Sequence, residues 1–303
     1  MESIDVASAR LFLTLAEELH FGRTAERLGW RQPQVSKVLQ SLEHQVGVRL
    51  VARSSRRVTL TEAGDALLEP LRSWLTQGEG LADIAKAAAL GLRGQLRVGL
   101  VSPAGFGLLP QWLRHFKSAT PEVELILREA TLDIQAEALR SGTMDLGCVL
   151  MPQGASPAGL SGRLVAVEPM MLALSQPAMI RLGPTPSLEA LLQEPLVLFP
   201  REIAPELHDA VVDFYHRQGH EPRLVQRAVQ MATLIHLVSA DFGVAWVPAS
   251  MRALQREGVV YVPAPAQAPS CETWMVWQAP ARAVVQRFMA SLPVEGAGAV
   301  VAA

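Results

Sequence analysis

GWRQPQVSKVLQSLEHQVG, residues 29–47, carries two patterns at once. Val35, Leu39, Leu42 and Val46 recur at the spacing that lines up side chains along one face of an α-helix. Pro33 suits its first turn, where a missing N–H costs no hydrogen bond. The opposite side is Pro33, Ser36, Lys37, Gln40 and His44, with Gln32 and Gln34 at the start. Most amphipathic helices only cover a core, so the flanking sequence decides what this one is for.

Upstream, residues 4–19 place Val6, Ala9, Leu13 and Ala16 on one side with Phe12, Leu15 and Leu19 beside them, which predicts a core-facing helix. His20-Phe21-Gly22 reads as a turn. A short helix follows over about 23–28, with Ala25 and Leu28 inward and Gly29 as its stop. Downstream, VRLVARSSRRVTLT (48–61) gives two β-prone runs around a Ser-Ser-Arg-Arg tip, a hairpin. Thr61 then reads as an N-cap and Glu62 as a first-turn acid of a long helix reaching about residue 90. Leu67, Leu71, Trp74, Leu81, Ile84 and Ala88 lie near one side of it. Pro70, Gly78 and Gly80 predict a kink or break there, and Gly91-Leu92-Arg93-Gly94 a hinge.

Charge supports a role for the polar side of the 29–47 helix. The chain's net charge is −2, but residues 22–60 hold eight basic groups against Glu26 and Glu43, a local balance of +6 that leaves −8 for the rest. A small cationic head and a larger acidic body fit a partner rich in phosphate at one end only.

Beyond residue 94 the pattern turns to strands near 95–101, 122–130, 144–151, 163–174, 195–199, 222–228, 242–247, 258–262 and 271–277, with helices between most of them. Such alternation predicts parallel α/β sheets. The long run 163–174 reads as a crossing between two lobes, and 265–269 (PAQAP) as the return. Cys148 and Cys271 sit in strand-like runs and read as buried small hydrophobes. The closing PVEGAGAVVAA reads as a loose tail. With 303 residues, no apolar run near 18 and no basic leader, the expectation is a soluble, cytoplasmic chain of more than one domain without membrane contact.

Three helices and a two-stranded wing make a winged helix-turn-helix. FGRTAERLGWRQPQVSKVLQSLEHQVGVRLVARSSRRVTLTEAG (21–64) resembles the LysR-type transcriptional regulators, a bacterial family. The resemblance rests on Ala25, Leu28, Gln32-Pro33, Ser36, Leu42-Glu43, Gly47, Leu50, Arg53, Leu60-Thr61 and Gly64 at the family's spacing. Thr24, Arg31, Lys37 and Val51 depart from it. Arg31 matters most, standing where a serine commonly caps the helix and unable to accept a backbone N–H. The resemblance implies an α/β protein with an all-α-type head: a winged helix-turn-helix (1–60), a linker helix for dimerisation (61–90), a hinge (91–94) and a periplasmic-binding-protein-like regulatory domain (95–303). Its two lobes are expected at 95–165 with 268–303, and at 166–267.

For DNA, the amides of Gln32, Gln34 and Gln40 can donate to and accept from base edges, adenine above all. Lys37 suits guanine or phosphate. Arg31, Pro33 and Ser36 are expected at the backbone, and Arg53, Arg56 and Arg57 at phosphate or the minor groove. In the body, four loops are expected to line an effector cleft. Ser102 and Pro103 stand in the first and Thr131 in the second. Phe199, Pro200 and Arg201 occupy the third, with Gln230, Met231 and Thr233 in the fourth. Of these, Ser102, Thr131 and Pro200 are carried over by resemblance to members whose effectors are aromatic or dicarboxylic acids. Arg201, if turned inward, gives an anion a bidentate partner.

No HExxH, GxSxG or Walker-type run is present, and Gly219 interrupts any helix that would align His216 with His220, so neither catalysis, a metal nor a cofactor is expected. The expected partners are promoter DNA, a small anionic effector, RNA polymerase and further copies of the chain in a dimer of dimers. An effector-independent repressor, or more distantly a cytosolic solute-binding protein, stays open as an alternative.

Overall fold

The computed structural model describes residues 4–53, 57–265, 267–293 and 300–301, with Arg53, Val300 and Val301 described by backbone alone. The chain forms two compact units, Met1–Lys86 and Ala87–Ala303.

The first unit opens with α1 (Val6–Glu18), α2 (Phe21–Leu28) and α3 (Gln32–Val46). Strands β1 (Val51–Arg53) and β2 (Val58–Leu60) then pair antiparallel, Val51 opposite Leu60. Ala9, Leu11, Phe12, Leu15, Val35, Leu39, Leu42 and Leu50 close the core. The inward line of α1 therefore runs through Leu11 and Phe12. Val6 and Leu19, expected inside, are exposed, Leu19 because it ends α1 in the left-handed region with φ 47°. Phe21 and Gly22 belong to α2 rather than to a turn, because the His20 ring Nδ1 accepts the Arg23 N–H at 3.2 Å and starts the helix earlier. Helix α4 (Glu62–Ala89) starts at Thr61, whose Oγ1 accepts the Gly64 N–H at 3.0 Å. It runs through Pro70, Gly78 and Gly80 without the expected break. One proline deletes one ladder hydrogen bond, and each glycine costs about 1 kcal/mol, which the rest of a long helix outweighs.

In the second unit β3 (Gly94–Leu100) leads to α5 (Ser102–Phe106), α6 (Leu109–Ala119), β4 (Val123–Glu129), α7 (Leu132–Arg140) and β5 (Leu146–Pro152). Then come β6 (Ser161–Ser175), α8 (Gln176–Leu182), α9 (Leu188–Gln193), β7 (Leu196–Leu198), a 3-10 turn at Arg201–Ile203, α10 (Pro205–Arg217) and β8 (Leu224–Arg227). Helix α11 (Met231–Ser239), β9 (Ala245–Pro248), β10 (Val259–Pro263), β11 (Ser270–Trp277), α12 (Ala283–Ser291) and β12 (Val300–Val301) complete it.

Parallel ladders join β3 with β4 and β5, and β7 with β8, and a single parallel bridge links Leu196 to Val244. The sheets are mixed rather than parallel throughout because two strands cross between lobes. β6 pairs antiparallel with β11 through Pro169, then with β9 and β10 from Met170 onward. β11 returns antiparallel to β5. Each lobe has its own core. Phe116 meets Phe288 edge-on at 5.1 Å in the first, and Phe214 meets Trp246 at 5.3 Å in the second. Cys148 and Cys271 are wholly buried, and burial pushes the Cys148 thiol up to about 12. Within the supposed tail, Val300 and Val301 pair with Arg163 and Gly162.

Asp145, preceding β5, ties the first lobe together. Its carboxylate accepts the Arg97 backbone N–H at 2.9 Å, Arg97 Nε and Nη2 at 2.9 and 2.8 Å, and Arg282 Nη1 at 2.6 Å. Burial pushes this carboxyl up, and the two guanidiniums outweigh it and hold it below the ordinary aspartate value.

Candidate nucleic-acid interface and effector cleft

Val35, Leu39 and Leu42 of α3 are fully buried, and this fixes where its other side faces. Gln32, Pro33, Gln34, Lys37 and Gln40 are exposed, and Ser36 is half-buried. Arg31 holds the N-cap position with extended backbone and makes no side-chain cap bond, so the first N–H groups of α3 stay open. Among the described residues Arg31, Lys37 and Arg49 make no ion pair. Arg57 is exposed at the start of β2; the side chain of Arg53, and Arg56 altogether, lie outside the described residues.

Arg23 and Arg27, counted from the sequence as basic groups of the head, are already engaged. Arg23 Nε lies 3.0 Å from Glu18, and Arg27 Nη1 lies 2.8 Å from Glu17 and 3.1 Å from Glu18. Arg23 first, then Arg27, holds the Glu18 carboxyl below its usual range. Arg31 at the N-cap and Lys37 on α3 stay outside these pairs and are exposed.

Glu43 has a role that spacing did not reveal. Its Oε1 accepts the Leu50 and Val51 N–H groups at 2.9 and 3.1 Å, pinning the first wing strand to α3. Such charge-assisted bonds contribute about 1.5–3 kcal/mol each. Gly64 is needed for a related reason, since a Cβ there would stand 2.2 Å from the Leu50 carbonyl oxygen.

In the second unit a cavity with about 440 Å³ of empty space, partly open to solvent, lies between the lobes. The first lobe supplies Ser102, Pro103, Thr131, Leu132 and Leu150, and the second Phe199, Ile203, Leu207, Val229, Gln230 and Met231. Six residues expected there are thus brought together: Ser102, Pro103, Thr131, Phe199, Gln230 and Met231. Neither hydroxyl serves as a helix cap. Ser102 Oγ donates to Gln230 Oε1 at 3.0 Å, and Thr131 at the N-cap of α7 makes no cap bond. Gln230 at the N-cap of α11 makes none either, so the starts of two nine-residue helices face this space with open N–H groups.

Pro200, Arg201 and Thr233 are not brought to the cavity lining. Pro200 flanks it, heading the 3-10 turn, and Thr233 is exposed on α11. Arg201 is corrected most sharply. Its Nε and Nη2 bind the Asp209 carboxylate at 2.8 and 2.7 Å, and its side chain is 63% exposed. This bidentate bond, with Asp209 about one turn into α10, holds the guanidinium outside. The lining that sequence reasoning missed is apolar: Leu132, Leu150, Ile203, Leu207 and Val229 carry no polar signal to single them out. Among the described residues, no group of three or more His, Cys, Asp or Glu side chains is placed to hold a metal ion, and no helix is long and apolar enough to cross a membrane.

Known proteins share both units. Residues 7–65 match the family described as "Bacterial regulatory helix-turn-helix protein, lysR family", and residues 89–294 match "LysR substrate binding domain". The transcriptional regulator IlvR of Caulobacter vibrioides is 41% identical over 276 residues, covering 91% of this chain and 92% of its own. AlsR of Bacillus subtilis is 33% identical, covering 85% of each chain. Among solved structures, full-length CbnR complexed with its target DNA gives a TM-score of 0.77 at 27% identity, covering 95% of this chain and 98% of that one. With a head built to present α3, a cleft between two lobes and relatives that are transcriptional regulators, the chain belongs to the LysR family of DNA-binding transcriptional regulators.

Proposed function

We propose that the protein reads promoter DNA through α3 and its wing, and changes its action there when a small carboxylic acid enters the cleft. The observation that carries the DNA half is the division of α3 between a buried stripe and an exposed row of amides and a lysine. Gln32, Gln34 and Gln40 read base edges, while Lys37 takes guanine or phosphate. Arg31, Pro33 and Ser36 seat the helix on the backbone, with Arg53, Arg56 and Arg57 of the wing beside it. Related CbnR has been crystallised on its target DNA, which supports the same use of the head here.

In the cleft, Ser102, Thr131 and Gln230 with the open N–H groups of α7 and α11 receive a carboxylate, and Phe199, Leu207 and Met231 receive its apolar part. The ligand acts by binding one lobe arrangement better than another. The working assembly is a dimer of dimers in the cytoplasm, joined through α4 and acting on RNA polymerase at the promoter. Footprinting of the full-length protein on the intergenic DNA beside its own gene tests this reading. Two protected half-sites, spaced by whole turns of the duplex, are expected; protection no different from random DNA would overturn it.

A further inference from the structure

The cleft carries a charge rule that the bare expectation of an anionic effector does not contain. Among the described residues, no lysine, arginine or histidine lines the cavity. Arg201 is held outside by Asp209. His208, edge-on to Phe199 at 6.3 Å, directs Nδ1 to Asp209 at 3.4 Å.

A neighbouring groove shares Leu132 and Ile203 with the cavity lining and is lined by Asp133, Glu202 and Glu206 against Arg140 alone among the described residues. One carboxylate has a place, at the polar end formed by Ser102, Thr131 and Gln230. A second would lie against apolar walls or approach acids. An anion left there without a cation or hydrogen bonds is strongly disfavoured.

Resting on the cleft reading above, we propose that the effector is a compact monocarboxylate with an apolar body, and that dicarboxylates are rejected by this chain. The resemblance to regulators of dicarboxylic acids therefore does not extend to this ligand class. The acids of this neighbouring groove add repulsion, because their field acts on a second carboxylate before any contact is made.

Titration of the full-length protein with valerate and glutarate separates the possibilities, because the two share a five-carbon chain and differ by one carboxylate. Valerate is expected to bind at least about tenfold more tightly than glutarate. Glu202→Gln with Glu206→Gln is expected to narrow that ratio by raising glutarate affinity. Glutarate binding as tightly as valerate overturns the charge rule. If that binding is lost in Ser102→Ala with Thr131→Val, the cleft reading itself still stands. Valerate affinity unchanged in this last variant overturns the cleft reading and the charge rule together.

Discussion

The Ser102 hydroxyl donates to Gln230 Oε1 across 3.0 Å, tying the start of α5 in one lobe to the start of α11 in the other. A carboxylate arriving at this end of the cavity competes for that hydroxyl, so ligand entry exchanges a bond between lobes for bonds to ligand. Ser102→Ala with Thr131→Val is expected to abolish the effector-dependent change at the promoter. Losing one neutral hydrogen bond costs about 0.5–1.5 kcal/mol, so promoter binding without effector should persist. Reporter induction alongside a gel shift checks both, and normal induction removes the two hydroxyls from the site.

Arg31 gives opposite signs for stability and affinity. A serine at this uncapped N-cap should accept an α3 N–H and stabilise the head by about 1 kcal/mol. The same Arg31→Ser change removes a cation from the proposed contact with the DNA backbone, and promoter affinity should fall. Thermal melts and gel shifts on one preparation check the pair of outcomes; undiminished affinity would place Arg31 away from DNA.

The proposed wing contact acts through charge. Arg56→Ala with Arg57→Ala should make the slope of log affinity against log salt shallower by about 0.9 for each phosphate that the wing no longer neutralises. Fluorescence anisotropy over a salt series reads this, and an unaltered slope removes the wing from the interface.

Asp145 governs the body rather than the head. With its side chain 2% exposed and two guanidiniums on it, Asp145→Asn takes the charged partner from Arg97 and Arg282, whose side chains are 33% and 56% exposed, and should cost about 1.5–3 kcal/mol in urea titrations at neutral pH. Because the folded carboxyl titrates below its unfolded value of 3.8, its stabilisation is present above that value and lost as pH falls through the folded one. The substitution should erase that part of the acid dependence.

What sequence conveyed well was periodic and local. The stripe of Val35, Leu39 and Leu42, the Thr61 cap and the missing cap at Arg31 are each set within a single helix, α3 or α4, where spacing alone determines the neighbours. What it missed was set by packing between elements. Glu43 reaches the wing seven and eight residues on, and Glu17 and Glu18 neutralise Arg23 and Arg27 from outside the window in which charge was counted. Asp209 withdrew Arg201 from the cleft in the same way, by competition that a strand-to-helix pattern does not encode. The mixed sheet was hidden likewise, since strand direction follows from how β6 and β11 cross between lobes.

The central claim, that the outer side of α3 reads DNA, is tested most directly by footprinting Gln32→Ala and Lys37→Ala on the intergenic promoter beside thermal melts of the same proteins. Both residues are exposed, so melting should stay within about 0.5 kcal/mol of the parent while specific protection is lost in each variant. Full protection by both variants at the same protein concentration would contradict the account.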